Sequence, residues 1–235
     1  MNTIQVRMLG EFSISTQSQQ LCDSDNRSRK VWILLAYLIY HRNRVVTQDE
    51  LMSLLWDDAS TSANPSGAIK TIFHRARITL DRLWPRAGHE LILKQSGGYI
   101  WNNEIPLTLD VDRFDELCRM DDLPESEKLQ RTLEALDLYQ GDFLDRMSSE
   151  TWIVPISVYY HNRYIQLLLN ILPALLEEGR QSDVVSLCQT AAQVEPYHEQ
   201  ICAWQMRALL DLGEQKKVIA LYTDFSDQLF ANFGI

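Results

Sequence analysis

A 34-residue repeat in the second half of the chain constrains the fold more than any other feature of the sequence. Shifting residues 174–187 by 34 positions superimposes seven identical residues within fourteen positions. The matched pairs are Ala174 and Ala208, Leu175 and Leu209, Leu176 and Leu210, Gly179 and Gly213, Gln181 and Gln215, Val184 and Val218, and Leu187 and Leu221. This period is that of tetratricopeptide repeats, in which each unit is a helix, a turn and a second helix. The repeat therefore predicts a stack of paired helices, each of which needs its neighbours to bury its apolar face.

Residues around the repeat extend the same helical pattern. Ala191 and Pro196 fall where a tetratricopeptide unit favours a small residue and a terminating proline. Residues 132–144 and 158–179 supply further helices of the same kind. We count two clear repeats and at least one divergent repeat, and we predict an all-α repeat domain over residues 106–235.

The first half of the chain has a different pattern, in which short strands alternate with helices. Residues 3–15 alternate apolar and polar positions, which predicts two short strands. The apolar run within residues 27–43 is too long for a strand and predicts a buried helix. Thr47 followed by Glu50 has the spacing of a capping box, so a second helix is predicted to begin directly after Thr47.

A third helix and a hairpin complete the first half. The polar loop 57–67 separates the second helix from a helix predicted over residues 66–83. Residues 90–102 alternate around two adjacent glycines, which predicts a β-hairpin. Strands, three helices and a hairpin in this order predict a winged helix-turn-helix domain over residues 1–105, with the hairpin as its wing.

The third predicted helix combines an apolar face with a basic outer face. Six residues fall within a stripe about 100° wide and form the predicted core face: Ile69, Ile72, Phe73, Ala76, Leu80 and Leu83. Opposite this stripe lie Gly67, Thr71, His74 and Ile78, flanked by Lys70 and Arg77 on one side and by Arg75 and Arg82 on the other. Polar side chains between flanking cations fit a major groove, whose base edges lie between two phosphate walls.

This pattern predicts a DNA-recognition helix. The predicted contacts are Gly67, Lys70, Thr71, His74, Arg75, Arg77 and Arg82. Gly67 lets the first turn approach base edges closely, and we expect the cations to contact phosphates. A charged outer face is also typical of any surface helix, and Asp81 has the spacing of an ordinary helix pair with Arg77. The capped helix before and the hairpin after favour the DNA interpretation.

Charge is divided unevenly between the halves. The 235 residues carry a formal net charge of −10. Residues 1–110 hold twelve Lys and Arg against eleven Asp and Glu, whereas residues 111–235 hold ten against twenty-one. Because phosphates respond to the local field, a near-neutral domain with clustered cations can bind DNA. The acidic half is unsuited to DNA, so we expect the two domains to have different partners.

The sequence carries no motif of an enzyme or of a metal site. It has no phosphate-binding loop, dinucleotide fingerprint, zinc-protease helix or nucleophile elbow. Its five histidines show no ligand spacing, and its four cysteines form no C-x-x-C pair. We therefore expect no catalytic residue, no cofactor and no metal. An N-terminus without a signal peptide and a longest apolar run of ten residues (31–40) predict a cytoplasmic protein without membrane contact.

Five blocks of the chain resemble successive segments of one family of bacterial regulators. They are "RKVWILLAYLIYHRNRVVTQDELMSLLW", "AIKTIFHRARITL", "SGGYIW", "DVDRFDEL" and "ALDLYQGDFL". In this order they resemble the antibiotic-regulatory-protein (SARP-type) transcriptional activators, over essentially the whole chain. Members of that family join an OmpR/PhoB-type winged helix to a bacterial transcriptional activation domain made of tetratricopeptide repeats. The resemblance implies a mainly α fold with a small β component.

The resemblance also implies a function and a set of contacts. In that family the helix equivalent to 66–83 enters the major groove, the hairpin equivalent to 90–102 contacts the adjacent minor groove or the backbone, and dimers bind direct repeats near promoters. It implies that Lys70, Thr71, His74, Arg75 and Arg77 face double-stranded DNA and that Lys94, Gln95 and Ser96 lie on the wing. RNA polymerase is the implied protein partner, with the loop 57–67 as one contact.

The role of the second domain stays open among three alternatives, which are contact with RNA polymerase, self-association, and sensing of a peptide or small-molecule signal. An aromatic and basic cluster, Tyr159, Tyr160, His161, Arg163 and Tyr164, has the composition of a groove lining. Tyrosines at helical spacing are more often packed between helices, and we favour packing. Phe114 and Leu117 are predicted to be buried. Family members commonly continue beyond the position of Ile235, so a further sensor or ATPase domain is an expectation.

A protein-interaction scaffold is the alternative function. In that case the winged helix docks onto a protein instead of DNA. The features that favour it are Ile78 on the outer face, Asp81 beside the cations, and the near-neutral charge of the first domain. The two functions differ in salt dependence, because DNA binding weakens steeply with salt and with the loss of a phosphate contact.

Overall fold

In the computed structural model, which describes residues 3–25, 28–56, 65–95, 97–119 and 123–234, the chain forms two compact units. The first comprises Met1–Asp115 and Phe143–Val154, and the second comprises Glu116–Asp142 and Pro155–Ile235. The described parts are mainly helical with a small β component, which confirms the predicted fold class.

The strands and helices follow one another along the chain in a mixed order. They are β1 (Ile4–Arg7), β2 (Ser13–Ser15), β3 (Gln20–Cys22), α1 (Arg29–Tyr40), β4 (Val46–Thr47), α2 (Gln48–Leu55), α3 (Pro65–Leu80), α4 (Ala87–Leu91), β5 (Ile92–Gln95), β6 (Gly98–Trp101), β7 (Leu107–Leu109), α5 (Asp110–Leu117), α6 (Glu125–Leu138), α7 (Ile153–Glu177), α8 (Gln181–Val194), α9 (Glu199–Asp211) and α10 (Gln215–Phe233). A short 3-10 helix, Asp145–Met147, precedes α7.

A four-stranded sheet with the order β3-β2-β1-β7 belongs to the first unit. β1 pairs antiparallel with β2 and parallel with β7, where Ile4 lies opposite Leu107. Ile4 and Val6 are buried and the residues that alternate with them are exposed, as the period-two pattern predicts. The sequence predicts β1 and β2, which lie in one alternating stretch over residues 3–15, but not β3 and β7, which are isolated runs of three residues outside that stretch.

A half-buried carboxylate joins this sheet to α5. The side chain of Asp110 accepts hydrogen bonds from the backbone N–H groups of Met8, at 2.7 Å, and Leu9, at 2.8 Å. It also accepts the N–H of Val111, at 2.8 Å. Burial raises the pKa of Asp110 to about 6, while the three N–H donors act in the opposite direction. Asp110 thus fixes the chain where it leaves β1.

Three helices, α1 to α3, form the core of the first unit. α1 is buried along nine consecutive residues, which accounts for a sequence that is apolar on all sides. Trp32 of α1 packs edge-to-face against Phe12, with the ring centroids 5.9 Å apart. The buried helix predicted within 27–43 is confirmed. The predicted start of α2 is also confirmed, since the hydroxyl of Thr47 accepts a hydrogen bond from the N–H of Glu50 at 3.2 Å.

The predicted hairpin is present as β5 and β6, and β4 pairs with the other edge of β6. Gly97 lies in the turn with φ of +84°, whereas Gly98 is already paired with Gln95. Gly98 is needed for a different reason: a Cβ on it would lie 2.1 Å from the carbonyl oxygen of Val46 in β4. The order of elements and the hairpin confirm the winged helix-turn-helix.

A segment distant in sequence completes the first unit. Phe143 forms an isolated antiparallel bridge with Leu9, and the N–H of Leu144 donates to the carbonyl oxygen of Met8 at 2.8 Å. Both Phe143 and Leu144 are fully buried. No pattern in the sequence predicts this return of the chain. The division into two functional domains after residue 105 stays a prediction.

The second unit repeats its helix ends at the predicted period. Gly179 and Gly213 lie 34 residues apart and have φ of +75° and +77°. Each helix ends with the same two backbone hydrogen bonds, from Gly179 to Leu176, Arg180 to Leu175, Gly213 to Leu210 and Glu214 to Leu209. These bonds form the Schellman motif, which requires a left-handed residue after the helix. The tetratricopeptide-like repeat is therefore confirmed by geometry as well as by identity.

The aromatic cluster of α7 lies mostly in the interior of the second unit. Tyr160 and Tyr164 are buried, and Tyr164 stacks on Tyr139 with the ring centroids 4.3 Å apart. Arg163 donates to a backbone carbonyl oxygen 3.0 Å away. Tyr159 is exposed. Packing, rather than a groove lining, is thus what the structure assigns to Tyr160 and Tyr164.

His161 of the same cluster lies between two carboxylates. Its Nδ1 is 3.0 Å from Oδ1 of Asp142, and its Nε2 is 3.0 Å from Oε2 of Glu195. The imidazole therefore links α7 to the residues that follow α6 and α8. Phe114 and Leu117 of α5 are buried, as predicted.

Candidate nucleic-acid interface

The face of α3 that the sequence assigns to the core is buried. The buried residues are Ile69, Ile72, Phe73, Ala76 and Leu80, together with Leu83 beyond the helix end. Phe73 stacks on Tyr99 of β6, with the ring centroids 3.7 Å apart. This packing fixes the rotation of α3 about its axis, so the opposite face is the one that is free to meet a partner.

The exposed side of α3, which we call the outer face, consists of Lys70, Thr71, His74, Arg75 and Ile78. The hydroxyl of Thr71 donates to the carbonyl oxygen of Gly67 at 3.0 Å, which leaves its lone pairs available as acceptors. Gly67 itself is half-buried. The outer face thus carries two cations, an imidazole and a hydroxyl on one rigid helix.

Arg77 lies elsewhere. It is half-buried, and its Nη2 donates to the carbonyl oxygen of Ile92 at 3.2 Å. α4 approaches so closely that a Cβ on Gly88 would lie 2.4 Å from the Cα of Arg77. The carboxylate of Asp81 accepts the N–H of Gly88 at 2.9 Å, and so it serves the chain after α3. This geometry gives Arg77 a structural role in joining α3 to the wing.

Arg82 lies beyond the end of α3, which is at Leu80 and not at residue 83. Its Nη1 is 3.2 Å from Oδ2 of Asp25, and the side chain is largely exposed. Exposed ion pairs of this kind contribute little to stability. The pairing nonetheless neutralises part of the positive charge that Arg82 would present to a phosphate.

Two of the three wing residues that are predicted to contact DNA are exposed in the structure. Lys94 and Gln95 are both exposed at the end of β5. Ser96 lies outside the described residues, as does most of the loop 57–67, of which 57–64 are not described. Lys94 lies opposite Tyr99 in the hairpin register, next to the strand residue that stacks on α3.

A cationic groove that the sequence analysis missed adjoins the outer face. It has a volume of about 700 Å³ and is lined by Arg29 and Lys30 of α1 and by Thr71 and Arg75 of α3. Lys30 Nζ lies 4.4 Å from the centre of the Trp56 ring. The signal in the sequence was the adjacent pair Arg29 and Lys30 at the start of α1, whose position beside α3 becomes visible only in the folded chain.

A polar network fixes α2, which precedes α3, against α1. The hydroxyl of Tyr37 donates to the Glu50 carboxylate at 2.5 Å, and Arg44 donates to both of its oxygens, at 2.5 and 2.9 Å. Hydrogen bonds from Arg44 lower the pKa of Glu50 to about 2, against the effect of burial. The carboxylate therefore stays charged at neutral pH and keeps the helix-turn-helix in place.

The described residues contain no group of three or more His, Cys, Asp or Glu side chains arranged to hold a metal ion. Across the same ranges, no helix combines the length and the apolar character that a membrane span requires.

More than half of the chain matches a known family model. Residues 109–235 match the Bacterial transcriptional activator domain. The chain belongs to this family. Bacterial transcriptional activator domain proteins are transcriptional regulators. The match begins at the last residue of β7 and covers all of the repeat helices.

Two known proteins are similar to this chain over most or all of its length. Regulatory protein AfsR of Streptomyces coelicolor is 27% identical over 212 residues, which is 86% of this chain and 20% of AfsR. The structure of Mycobacterium tuberculosis EmbR in complex with a low affinity phosphopeptide is similar with a TM-score of 0.65 and 18% identity, over 100% of this chain and 62% of EmbR. The chain thus spans about a fifth of AfsR and less than two thirds of EmbR. Together these findings confirm the SARP-type resemblance.

Proposed function

We propose that this protein is a sequence-specific DNA-binding transcriptional activator whose α3 lies in the major groove. The observation that carries the proposal is the outer face of α3, with Lys70, Thr71, His74 and Arg75 exposed on a helix whose opposite face is fully packed. A recognition helix needs both properties, since base readout depends on a fixed rotation and phosphate binding depends on accessible cations.

Each residue of the outer face has a proposed role. Lys70 and Arg75 contact phosphates, and Thr71 and His74 read base edges from the centre of the face. Gly67, in the first turn, lets the helix approach the bases. We leave Arg77 out of the contacts because its guanidinium already bonds to a carbonyl oxygen of the wing, and we rank Arg82 below Arg75 because Asp25 neutralises it.

The cationic groove extends the proposed interface along the DNA backbone. Arg29 and Lys30 lie at the beginning of α1, beside Arg75, and would follow one phosphate strand past the edge of the major groove. Arg29 also donates to Glu150 at 2.9 Å, so Lys30 is the stronger candidate. Lys94, Gln95 and Ser96 on the wing would contact the backbone or the adjacent minor groove.

The proposed partners are a promoter with direct repeats, a second copy bound head-to-tail on that DNA, and RNA polymerase. The polymerase contact is assigned to the winged helix and the repeat domain. The excess of acidic residues after position 110 supports this, because a strongly acidic surface disfavours DNA. We place the protein in the cytoplasm, where promoter and polymerase are available.

Selection of binding sites from random duplex DNA, at low and at physiological salt, tests the proposal. We expect enrichment of a short direct repeat. Lys70→Ala and Arg75→Ala should weaken binding to all sequences alike and each make the salt slope shallower by about 1. Thr71→Ala and His74→Ala should relax the enriched sequence instead. Arg207→Ala, which removes an exposed cation of α9, is the matched control and should change neither quantity.

The scaffold alternative is supported by one observation, the 54% exposure of Ile78 on the outer face. An apolar side chain there fits a protein partner as well as a thymine methyl group. A binding curve without salt dependence, together with unchanged binding in Lys70→Ala and Arg75→Ala, would favour the scaffold over the DNA reader.

A further inference from the structure

α10 leaves much of an apolar face exposed, although the ring of Phe233 also packs edge-to-face against Tyr197, with the ring centroids 5.0 Å apart. α10 has no buried residue, although 19 residues belong to it. Four large side chains on one side of it are exposed: Ile219 at 67%, Tyr222 at 62%, Phe230 at 71% and Phe233 at 57%. We call these four, with Ser226 between them, the α10 stripe. Single exposed apolar residues are ordinary, but two pairs of large apolar side chains on one face of a helix form a patch of the kind that marks an interaction site.

The internal repeat indicates what kind of element covers such a face. α10 corresponds to α8, 34 residues earlier, and Cys188 is the residue that corresponds to Tyr222. Cys188 is fully buried, because α9 packs against α8. The equivalent surface of α10 is therefore shaped to receive another helix.

The spacing of the four large side chains indicates which helix would cover the α10 stripe. Relative to Ser226, the large residues lie at −7, −4, +4 and +7, so the stripe reads the same in both directions. Two α10 helices that pair antiparallel with their Ser226 residues at the crossing place Ile219 opposite Phe233 and Tyr222 opposite Phe230. Such self-complementarity is the requirement of a two-fold symmetric interface.

The area of the stripe is sufficient for a pair. A side chain of this size offers on the order of 200 Å², and at these exposed fractions the stripe presents roughly 500 Å² in each copy. Two copies would bury about 1,000 Å², the level that a specific interface needs. Antiparallel pairing also opposes the two helix macrodipoles and brings Lys216 and Lys217 near the negative C-terminal end of the partner helix.

We propose that the α10 stripe is a dimerisation surface, through which two copies of this chain pair antiparallel in solution. This pairing needs no DNA and does not rest on the proposed function. It is separate from the head-to-tail arrangement on direct repeats, which the winged helices would form.

Sedimentation velocity of the full chain between 1 and 100 µM tests the proposal. This range suits the weak association expected of an interface at the lower limit of size. Tyr222→Glu and Phe230→Glu should both give a monomer at every concentration. Ala231→Glu adds the same charge to the exposed far side of α10 and should leave the dimer unchanged. Circular dichroism confirms that each variant keeps its helices.

A cysteine pair tests the antiparallel register. In a Cys22→Ser background, which removes the half-buried thiol, Ser226→Cys should give a disulfide-linked dimer with an added oxidant. Helix axes about 10 Å apart leave facing Cα atoms about 5.5 Å apart, which a disulfide can span. Ala231→Cys should stay monomeric. A wild-type chain that is monomeric at 100 µM, or equal crosslinking of the two variants, overturns the proposal.

Discussion

At the scale of single residues, Asp110 shows how one half-buried carboxylate can hold two distant segments. Its two oxygens accept three backbone N–H groups, from Met8 and Leu9 after β1 and from Val111 in its own helix. Asn in its place keeps one acceptor oxygen, whereas Ala keeps none and leaves all three buried N–H groups unpaired. We therefore expect Asp110→Ala to be less stable than Asp110→Asn by about 1–3 kcal/mol in urea unfolding at pH 7.

The pH dependence of unfolding checks the same residue. Because burial raises the pKa of Asp110 to about 6, the folded state holds this proton more tightly than the unfolded state does. The stabilisation is complete below about pH 4 and is lost as the pH rises through 6, by up to about 3 kcal/mol for Asp110. Both variants should lack this part of the slope. An unchanged slope in Asp110→Asn would show that another group titrates.

At the scale of elements, the two glycines of the wing are required for different physical reasons, so their substitutions should differ in cost. Gly97→Ala meets no atom within 4 Å but must keep φ near +84°, which costs about 1–2 kcal/mol. Gly98→Ala would force a Cβ against the Val46 carbonyl and separate β4 from β6, at about 3 kcal/mol or more. Thermal unfolding of the two variants compares these costs. Equal losses would mean that β4 moves away freely.

What the sequence could predict about these elements depends on how local the cause is. The core face of α3 and the cap at Thr47 follow from spacing along one helix, and both predictions are confirmed. The bond from Arg77 to Ile92 depends on the approach of α4, and the pairing of β1 with β7 joins residues a hundred positions apart. Such contacts leave no periodic pattern in the sequence. The sequence alone therefore placed Arg77 among the exposed cations of α3.

At the scale of the whole chain, the boundary between its near-neutral and acidic parts differs from the boundaries of the two compact units. The excess of Asp and Glu over Lys and Arg begins after residue 110, in the part of the chain that also holds the repeats. The first unit nevertheless takes back the segment Phe143–Val154, whose residues Phe143, Leu144 and Met147 are buried. A winged helix cut from the chain at its sequence boundary would therefore lack part of its core.

Two fragments test this dependence. The fragment 1–115 lacks the four buried side chains of Phe143, Leu144, Met147 and Ile153, each of which contributes about 2–5 kcal/mol in a core. Their combined loss is comparable with the whole stability of an ordinary domain, about 5–15 kcal/mol. The fragment 1–154 retains them and is the matched control. We expect native amide protection at Met8 and Leu9 in 1–154 but not in 1–115. Equal protection in both fragments would mean that β1 to α5 form a self-sufficient core, with the segment 143–154 only resting on it.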